Sequence, residues 1–221
     1  MTRVLVLRPE PGASATVERA RKRGLNATAL PLFEIEPVKW KAPEAGGFDG
    51  LLLTSANAMR CGGVLLNDLR GFPVYAVGAA TAEAARVAGF DVVSTGEAGV
   101  DRLLESIEPD LKLLHLAGED RRIAKKPRQQ ITPIAVYRAR AKEGIDASSI
   151  QDCVAMAHSP GAARRLAELV DDKASVAIAA ISRKAAEAAG EGWAAVEVAA
   201  APNDDALLAL TERLCNKAPA R

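Results

Sequence analysis

The feature that most limits how this chain can fold is a repeat of its own sequence about 104 residues apart. Asp49 recurs as Asp152 at the entrance to an apolar run, and Ser55 recurs as Ser159 in the polar elbow that follows. The TAEAA starting at Thr81 returns as the AAEAA starting at Ala185, and Asp101 and Leu104 return as Asp205 and Leu208. Further upstream, RVLVLRPE from Arg3 pairs with KLLHLAGE from Lys112, and the extended PLFEIEP from Pro31 pairs with PIAVYRA from Pro133. Alanine-rich segments align easily, so any one match is weak. Matches held in register along nearly the whole chain argue for a duplicated domain.

Each copy alternates short apolar runs with segments rich in Ala, Leu, Arg and Glu. Strands are expected at 4–7, 27–30, 50–53, 74–77, 92–94, 113–116, 134–137, 154–156, 176–181 and 195–198, about five to a copy. Runs such as LLL at 51–53 are apolar throughout, as in a strand covered on both faces of a parallel sheet. Alternation with helical segments places that sheet in an α/β fold. The reading is two small doubly wound domains, and the residues alone leave open whether they stand in tandem or exchange elements.

Composition removes several function classes. Net charge is +1, from 29 basic and 28 acidic residues, and aromatic residues make up 4%, so neither a basic field nor a stacking platform for nucleic acid is expected. The basic cluster Arg121, Arg122, Lys125, Lys126 and Arg128 reads as a solvated surface segment. No apolar run is long enough to span a bilayer. The start, MTRVLVLRPEPG, lacks the apolar core and cleavage site of an export signal, so a cytoplasmic protein is expected. Cys61, Cys153 and Cys215 are scattered and only His115 and His158 could join them, so no metal site is expected.

In a parallel sheet the strand C-termini and helix N-termini share the edge where ligands bind. The elbows on that edge are 8–12, 54–57, 78–81, 118–120, 158–161 and 181–184, with small, hydroxylic or charged residues where backbone N–H groups point outward. Two such edges across a cleft would suit a bulky organic polyanion. Neither a dinucleotide fingerprint nor a P-loop is present, so a nucleotide is not indicated.

The succession R-P-E at 8–10, T-S-A-N at 54–57, V-G-A-A-T-A-E-A at 77–84, L-A-G-E-D-R at 116–121, A-V-Y-R-A at 135–139 and H-S-P-G at 158–161 resembles the uroporphyrinogen-III synthase family. The resemblance implies two flavodoxin-like domains joined by a two-stranded ladder. One domain would be discontinuous, 1–30 plus 141–221, the other would be 39–130, and 31–38 and 131–140 would be the connecting strands. It further implies a lyase of haem biosynthesis, which closes the linear tetrapyrrole hydroxymethylbilane into uroporphyrinogen III with its D ring inverted. That reaction takes no metal or organic cofactor. The partner expected is the polycarboxylate substrate alone, with no nucleic acid or membrane, and the chain is expected to be a monomer. The alternatives are a two-lobed cytoplasmic binding protein and a transferase for another anionic small molecule.

The family motif puts a tyrosine on the second connecting strand, here Tyr137. A phenol stays protonated at neutral pH and can donate to a departing hydroxyl. Thr81 matches the threonine of the turn that begins at Gly78, and is expected to bind a carboxylate or the leaving water, or to cap its helix. Thr54, Ser55 and Asn57, with Gly78, are expected as caps and carboxylate contacts, and Arg8, Glu119 and Ser159 as substrate contacts. The second-half turn departs from the family pattern: Ser182, Arg183 and Lys184 stand there, with Ala185 in the threonine's place. Two charges are expected to replace a backbone cradle there, or that half to bind more loosely. His115 reads as a core histidine, and His158 lies nearer an elbow. A brief helix or mobile loop is expected after Gly118.

Overall fold

Short strands alternate with helices along the whole computed structural model, which describes residues 2–97, 99–121 and 124–217. The chain begins β1 (Arg3–Val6), α1 (Gly12–Lys22), β2 (Asn26–Ala29) and β3 (Phe33–Pro37). It continues β4 (Gly50–Leu53), α2 (Asn57–Cys61), β5 (Val74–Val77), α3 (Ala79–Val87), β6 (Val92–Gly96), α4 (Val100–Ser106), β7 (Lys112–Gly118) and β8 (Gln130–Ala141). The last part is β9 (Cys153–Ala157), α5 (Pro160–Leu169), β10 (Val176–Ala180), α6 (Arg183–Ala189), β11 (Ala195–Val198) and α7 (Asp204–Lys217).

These elements form two compact units, one of Met1–Glu34 and Arg140–Arg221, the other of Ile35–Ala139. The first contains a five-stranded sheet in the order β11-β10-β9-β1-β2, and its strand pairs are parallel. The strands β9 and β10 are apolar because helices cover both faces. Val154, Met156 and Ala179 pack with α1 and α7, while Ala155, Ala157 and Ile178 pack with α5 and α6. Alanine-rich faces, with Ala163 and Ala185 fully buried, let α5 and α6 sit closely on that side.

The other sheet has six strands in the order β3-β8-β7-β4-β5-β6, parallel from β8 to β6. Leu51, Leu53, Leu114 and Leu116 face α2 and α3, whereas Leu52 and Leu113 face α4. This is the division that three consecutive buried leucines anticipate. At the far edge, Val38 N–H donates to Val136 O and Lys142 N–H donates to Leu32 O. Residue numbers therefore fall along β3 as they rise along β8, and the pair is antiparallel. Glu36 faces Arg138 at 3.1 Å and Glu34 faces Arg140 at 3.9 Å across this ladder.

Several local expectations change. The helix after the elbow at 54–57 is one short turn, because Gly62 and Gly63 follow Cys61 and Gly63 takes φ 67°. The chain goes on as a 3₁₀ segment, Gly63–Leu69. The N-cap of α2 is Ala56, which offers no side-chain acceptor. Of the brief helix or loop expected after Gly118, the described residues before Gln130 form bends and no helix. Arg122 of the basic cluster lies outside the described residues.

Candidate functional site

In the unit of Ile35–Ala139, strand register lines the candidate residues along one edge of the sheet. Leu53 of β4 stands opposite Leu116 of β7 and Ala76 of β5. Two residues on, Ser55 is therefore level with Gly118 on one side and Gly78 on the other. Gly118 is itself paired with Tyr137 of β8. Gly118, Ser55 and Gly78 thus form a row across the C-terminal ends of β7, β4 and β5, with Tyr137, inside β8, beside Gly118, where the dipoles of α2 and α3 begin.

Each member reaches the row for a local reason. Gly78 turns the chain from β5 into α3 with φ 84°, a conformation that strains any residue carrying a Cβ. Thr81 is consequently not the cap. It sits in the first turn of α3, where its N–H donates to Gly78 O at 3.1 Å. Its side chain is buried, 5% exposed, and its hydroxyl has no hydrogen-bond partner among the described residues. The hydroxyl oxygen is not among the buried unsatisfied atoms, so it reaches the surface and is open to a ligand.

The hydroxyls of Thr54 and Ser55 on this edge are already engaged. Thr54 Oγ1 lies 3.0 Å from His115 Nε2. Burial, with the Arg121 charge adding to it, pushes the His115 pKa down to about 4, so the ring is neutral at pH 7. His115 is a core residue, as expected, and it ties the end of β4 to β7. Ser55 Oγ accepts from Asn57 N–H at 3.2 Å, and Asn57 Oδ1 accepts from Arg60 at 3.0 Å. The cap of α2 is therefore made by Ser55, one residue before the N-cap position. Glu119 is exposed, and its N–H donates to Tyr137 O at 3.0 Å. Arg121 is exposed as well, close enough for its charge to act on His115. The sequence reading took Arg121 as part of a solvated surface segment, and it is exposed. Its place three residues beyond Gly118 was the available signal that it belongs to this edge.

The unit of Met1–Glu34 and Arg140–Arg221 carries its candidates on the corresponding edge of its own sheet. Ser159 caps α5, accepting from Ala162 N–H at 3.1 Å ahead of Pro160. Ser182 caps α6, accepting from Ala185 N–H at 3.3 Å, and Arg183 and Lys184 are exposed in the first turn. Arg8 is drawn into an internal network. Its Nη1 donates to Thr16 Oγ1 at 3.4 Å and lies 3.7 Å from Asp204. Asp204 also accepts from Thr16 at 3.2 Å, from Arg19 at 2.5 Å and from His158 Nε2 at 2.8 Å.

Burial lowers the His158 pKa, and the Asp204 hydrogen bond only partly offsets it. Burial alone would raise the Asp204 carboxyl, but its His158 hydrogen bond and the guanidiniums of Arg19 and Arg8 hold it below the usual range. His158 is thereby a buried strut between the β9 elbow and α7. Asp204 went unnoticed in the sequence, where NDD before an amphipathic run signals only a helix start. Among the described residues no group of three or more His, Cys, Asp or Glu side chains could hold a metal ion, and no helix is long and apolar enough to cross a membrane.

Comparison with known proteins points in one direction. The family model described as uroporphyrinogen-III synthase HemD matches residues 14–209. No curated protein matches the chain. Among solved structures, the uroporphyrinogen-III synthetase of Helicobacter pylori matches with TM-score 0.66 at 17% identity, over 97% of this chain and 100% of that one. A mutant uroporphyrinogen III synthase of Thermus thermophilus matches with TM-score 0.52 at 20% identity, over 98% of this chain and 100% of the other. At such identities the two structures speak for the fold.

Proposed function

The chain belongs to the uroporphyrinogen-III synthase family, and from that premise we propose that it is a lyase that closes hydroxymethylbilane into uroporphyrinogen III. The observation that supports this reading best is the edge of the unit Ile35–Ala139. There Tyr137, the Thr81 hydroxyl, without a partner among the described residues, and the N-terminus of α3 share one rim.

The reaction expels one water and neither oxidises nor reduces the substrate. The pyrrole nitrogen pushes out the hydroxyl, whose departing oxygen needs a proton or a hydrogen bond. Tyr137 is the proposed donor, since a phenol is protonated at pH 7 and can give up its proton as the C–O bond breaks. The substituted carbon of the last ring then attacks the cationic carbon, giving a spiro intermediate. Its reopening and reclosure invert that ring, and a ring carbon returns a proton at the end. Thr81 and the amide N–H groups at the start of α3 are proposed to hold substrate carboxylates or the leaving water. Ser55, Thr54, Asn57, Gly78 and Glu119 are proposed contacts of the same rim, with Glu119 facing a pyrrole N–H.

Arg8, Ser159, Ser182, Arg183 and Lys184 are proposed anion contacts of the other unit. Arg183 and Lys184 carry most of this role, because Arg8 already shares its charge with Asp204. Free substrate can close without inversion, so the protein must hold a conformer in which the substituted carbon reacts first. Orientation of that kind is worth several kcal/mol. The proposal includes a monomeric cytoplasmic enzyme acting on a small molecule without nucleic acid or membrane. It is tested by following hydroxymethylbilane consumption with protein dialysed against a strong chelator. Acceleration that survives dialysis supports cofactor-free dehydration, and decay at the spontaneous rate refutes it.

A further inference from the structure

Tyr137 is aimed by two features of the backbone beside it. Along most of their length β7 and β8 pair residue for residue, Leu116 with Ile134 and Ala117 with Ala135. The next pair is Gly118 with Tyr137, so β8 spends one extra residue, Val136, at this point. Ile134, Val136 and Tyr137 all pack against the cluster that contains Leu114, Leu116 and α3. Two consecutive residues, Val136 and Tyr137, therefore point to the same face, which a regular strand forbids. A bulge of this kind re-aims a side chain, and is rare between parallel strands.

The re-aimed ring lands on Gly118. A Cβ added to Gly118 would stand 2.8 Å from Tyr137 Cε2, 2.9 Å from Cζ and 3.2 Å from the hydroxyl oxygen. Gly118 is buried, and its φ lies outside the left-handed region. Nothing in its backbone conformation calls for glycine; the space taken by the phenol does. The end of the same ring is the end that carries the hydroxyl, so whatever moves the ring moves the proton donor.

We propose that Gly118, with the Val136 bulge, is a positioning residue for the reaction: it is the seat that fixes where the Tyr137 hydroxyl meets the substrate. The inference rests on the reading of Tyr137 as proton donor. Alanine at Gly118 pushes the ring aside, because a side-chain tip yields more easily than two hydrogen-bonded strands. A displacement of about an ångström at a reacting group can cost up to about 100-fold in rate.

The test is a cycle of Gly118→Ala and Tyr137→Phe, read by kcat and KM for hydroxymethylbilane. Phenylalanine keeps the ring, and with it any packing cost of the added methyl, but removes the hydroxyl. Gly118→Ala is expected to lower kcat roughly 10- to 100-fold in the tyrosine protein, to change KM little, and to have less than about a twofold effect on kcat in the Tyr137→Phe protein. A similar loss in both backgrounds, or a wild-type kcat for Gly118→Ala, overturns the seat while leaving the tyrosine reading intact. A wild-type kcat for Tyr137→Phe itself removes the tyrosine reading, and the seat falls with it. Should Gly118→Ala not fold, the unmodified protein still decides: its Gly118 Hα protons are expected to show nuclear Overhauser contacts to the Tyr137 ring and a ring-current shift upfield. Their absence overturns the proposal.

Discussion

Thr81 and His115 show opposite ways in which a polar side chain is kept inside one sheet edge. The Thr81 hydroxyl has no partner among the described residues, so replacing it with an isosteric methyl should not weaken the fold. Thr81→Val is expected to unfold at the wild-type temperature or slightly above while losing about tenfold in kcat/KM, the worth of one hydrogen bond. Total loss of activity would show that one hydroxyl, rather than the amides of α3, carries carboxylate binding. His115 is buried with its pKa pushed down to about 4 from an ordinary 6.5. Between those values the unfolded chain binds the proton and the folded chain does not, so stability is full above pH 6.5 and falls as pH drops toward 4. The whole loss amounts to ~3 kcal/mol. Denaturant titrations at about pH 7.5 and about pH 5 should show a smaller difference for His115→Leu than for the wild type, and an unchanged difference would remove His115 as the cause. At this scale the sequence was a partial guide. Tyr137 and Thr81 could be singled out by motif, but nothing in LAGED announces that Gly118 accommodates a ring. That contact depends on a bulge, and a bulge leaves no periodic mark in a strand as short as PIAVYRA. The pairing of Arg8 with Asp204 was likewise hidden, because that counter-charge lies far along the chain.

The helix starts are where element and site meet. Ser159 and Ser182 both accept from backbone N–H groups in the first turns of α5 and α6. Ser159→Ala should cost about 1 kcal/mol of stability, measured by urea unfolding, and no measurable cost would mean the cap bond adds nothing to the fold. Asp204 gathers His158, Arg19, Arg8 and Thr16 at the start of α7 and is 16% exposed. Asp204→Ala should be the more damaging change, about 3 kcal/mol, since it leaves the buried His158 imidazole without its acceptor, while Arg19 keeps Asp205 and Arg8 keeps Thr16. A loss of under about 1 kcal/mol would place that imidazole in water instead. Strands were easier to read than helices. Ten apolar runs each became a strand, most within about three residues at either end, because burial between helix layers imposes a continuous apolar stretch. The largest shift is β8, which begins at Gln130, ahead of Pro133. Proline is tolerated there because β3 pairs only with the later part of β8, leaving this stretch at the sheet's edge. The helix expected after 54–57 was cut short by the Gly62-Gly63 pair, a pattern visible in the sequence but outweighed by the apolar residues around it.

At the scale of the molecule the repeat accounts for most of what could be foreseen. Moving along by one repeat turns β4, β5 and β6 into β9, β10 and β11, and β1 corresponds to β7. The two sheets then read β11-β10-β9-β1-β2 and β6-β5-β4-β7-β8, the same order, with β3 added to the second. A duplicated α/β architecture was therefore legible in the sequence, since repeating one pattern of burial repeats one topology. The family was legible too, from six short motifs in order, and the match over residues 14–209 places the chain in it. Substrate contacts were not, because hydroxyls in helix-start elbows look alike whether they cap a helix, brace a histidine or await a ligand. The most direct measurement is to give the purified protein hydroxymethylbilane, oxidise the products and separate the uroporphyrin isomers. The account predicts that the type III isomer dominates and forms well above the spontaneous rate of closure. Type I alone, at the rate seen without protein, would contradict it.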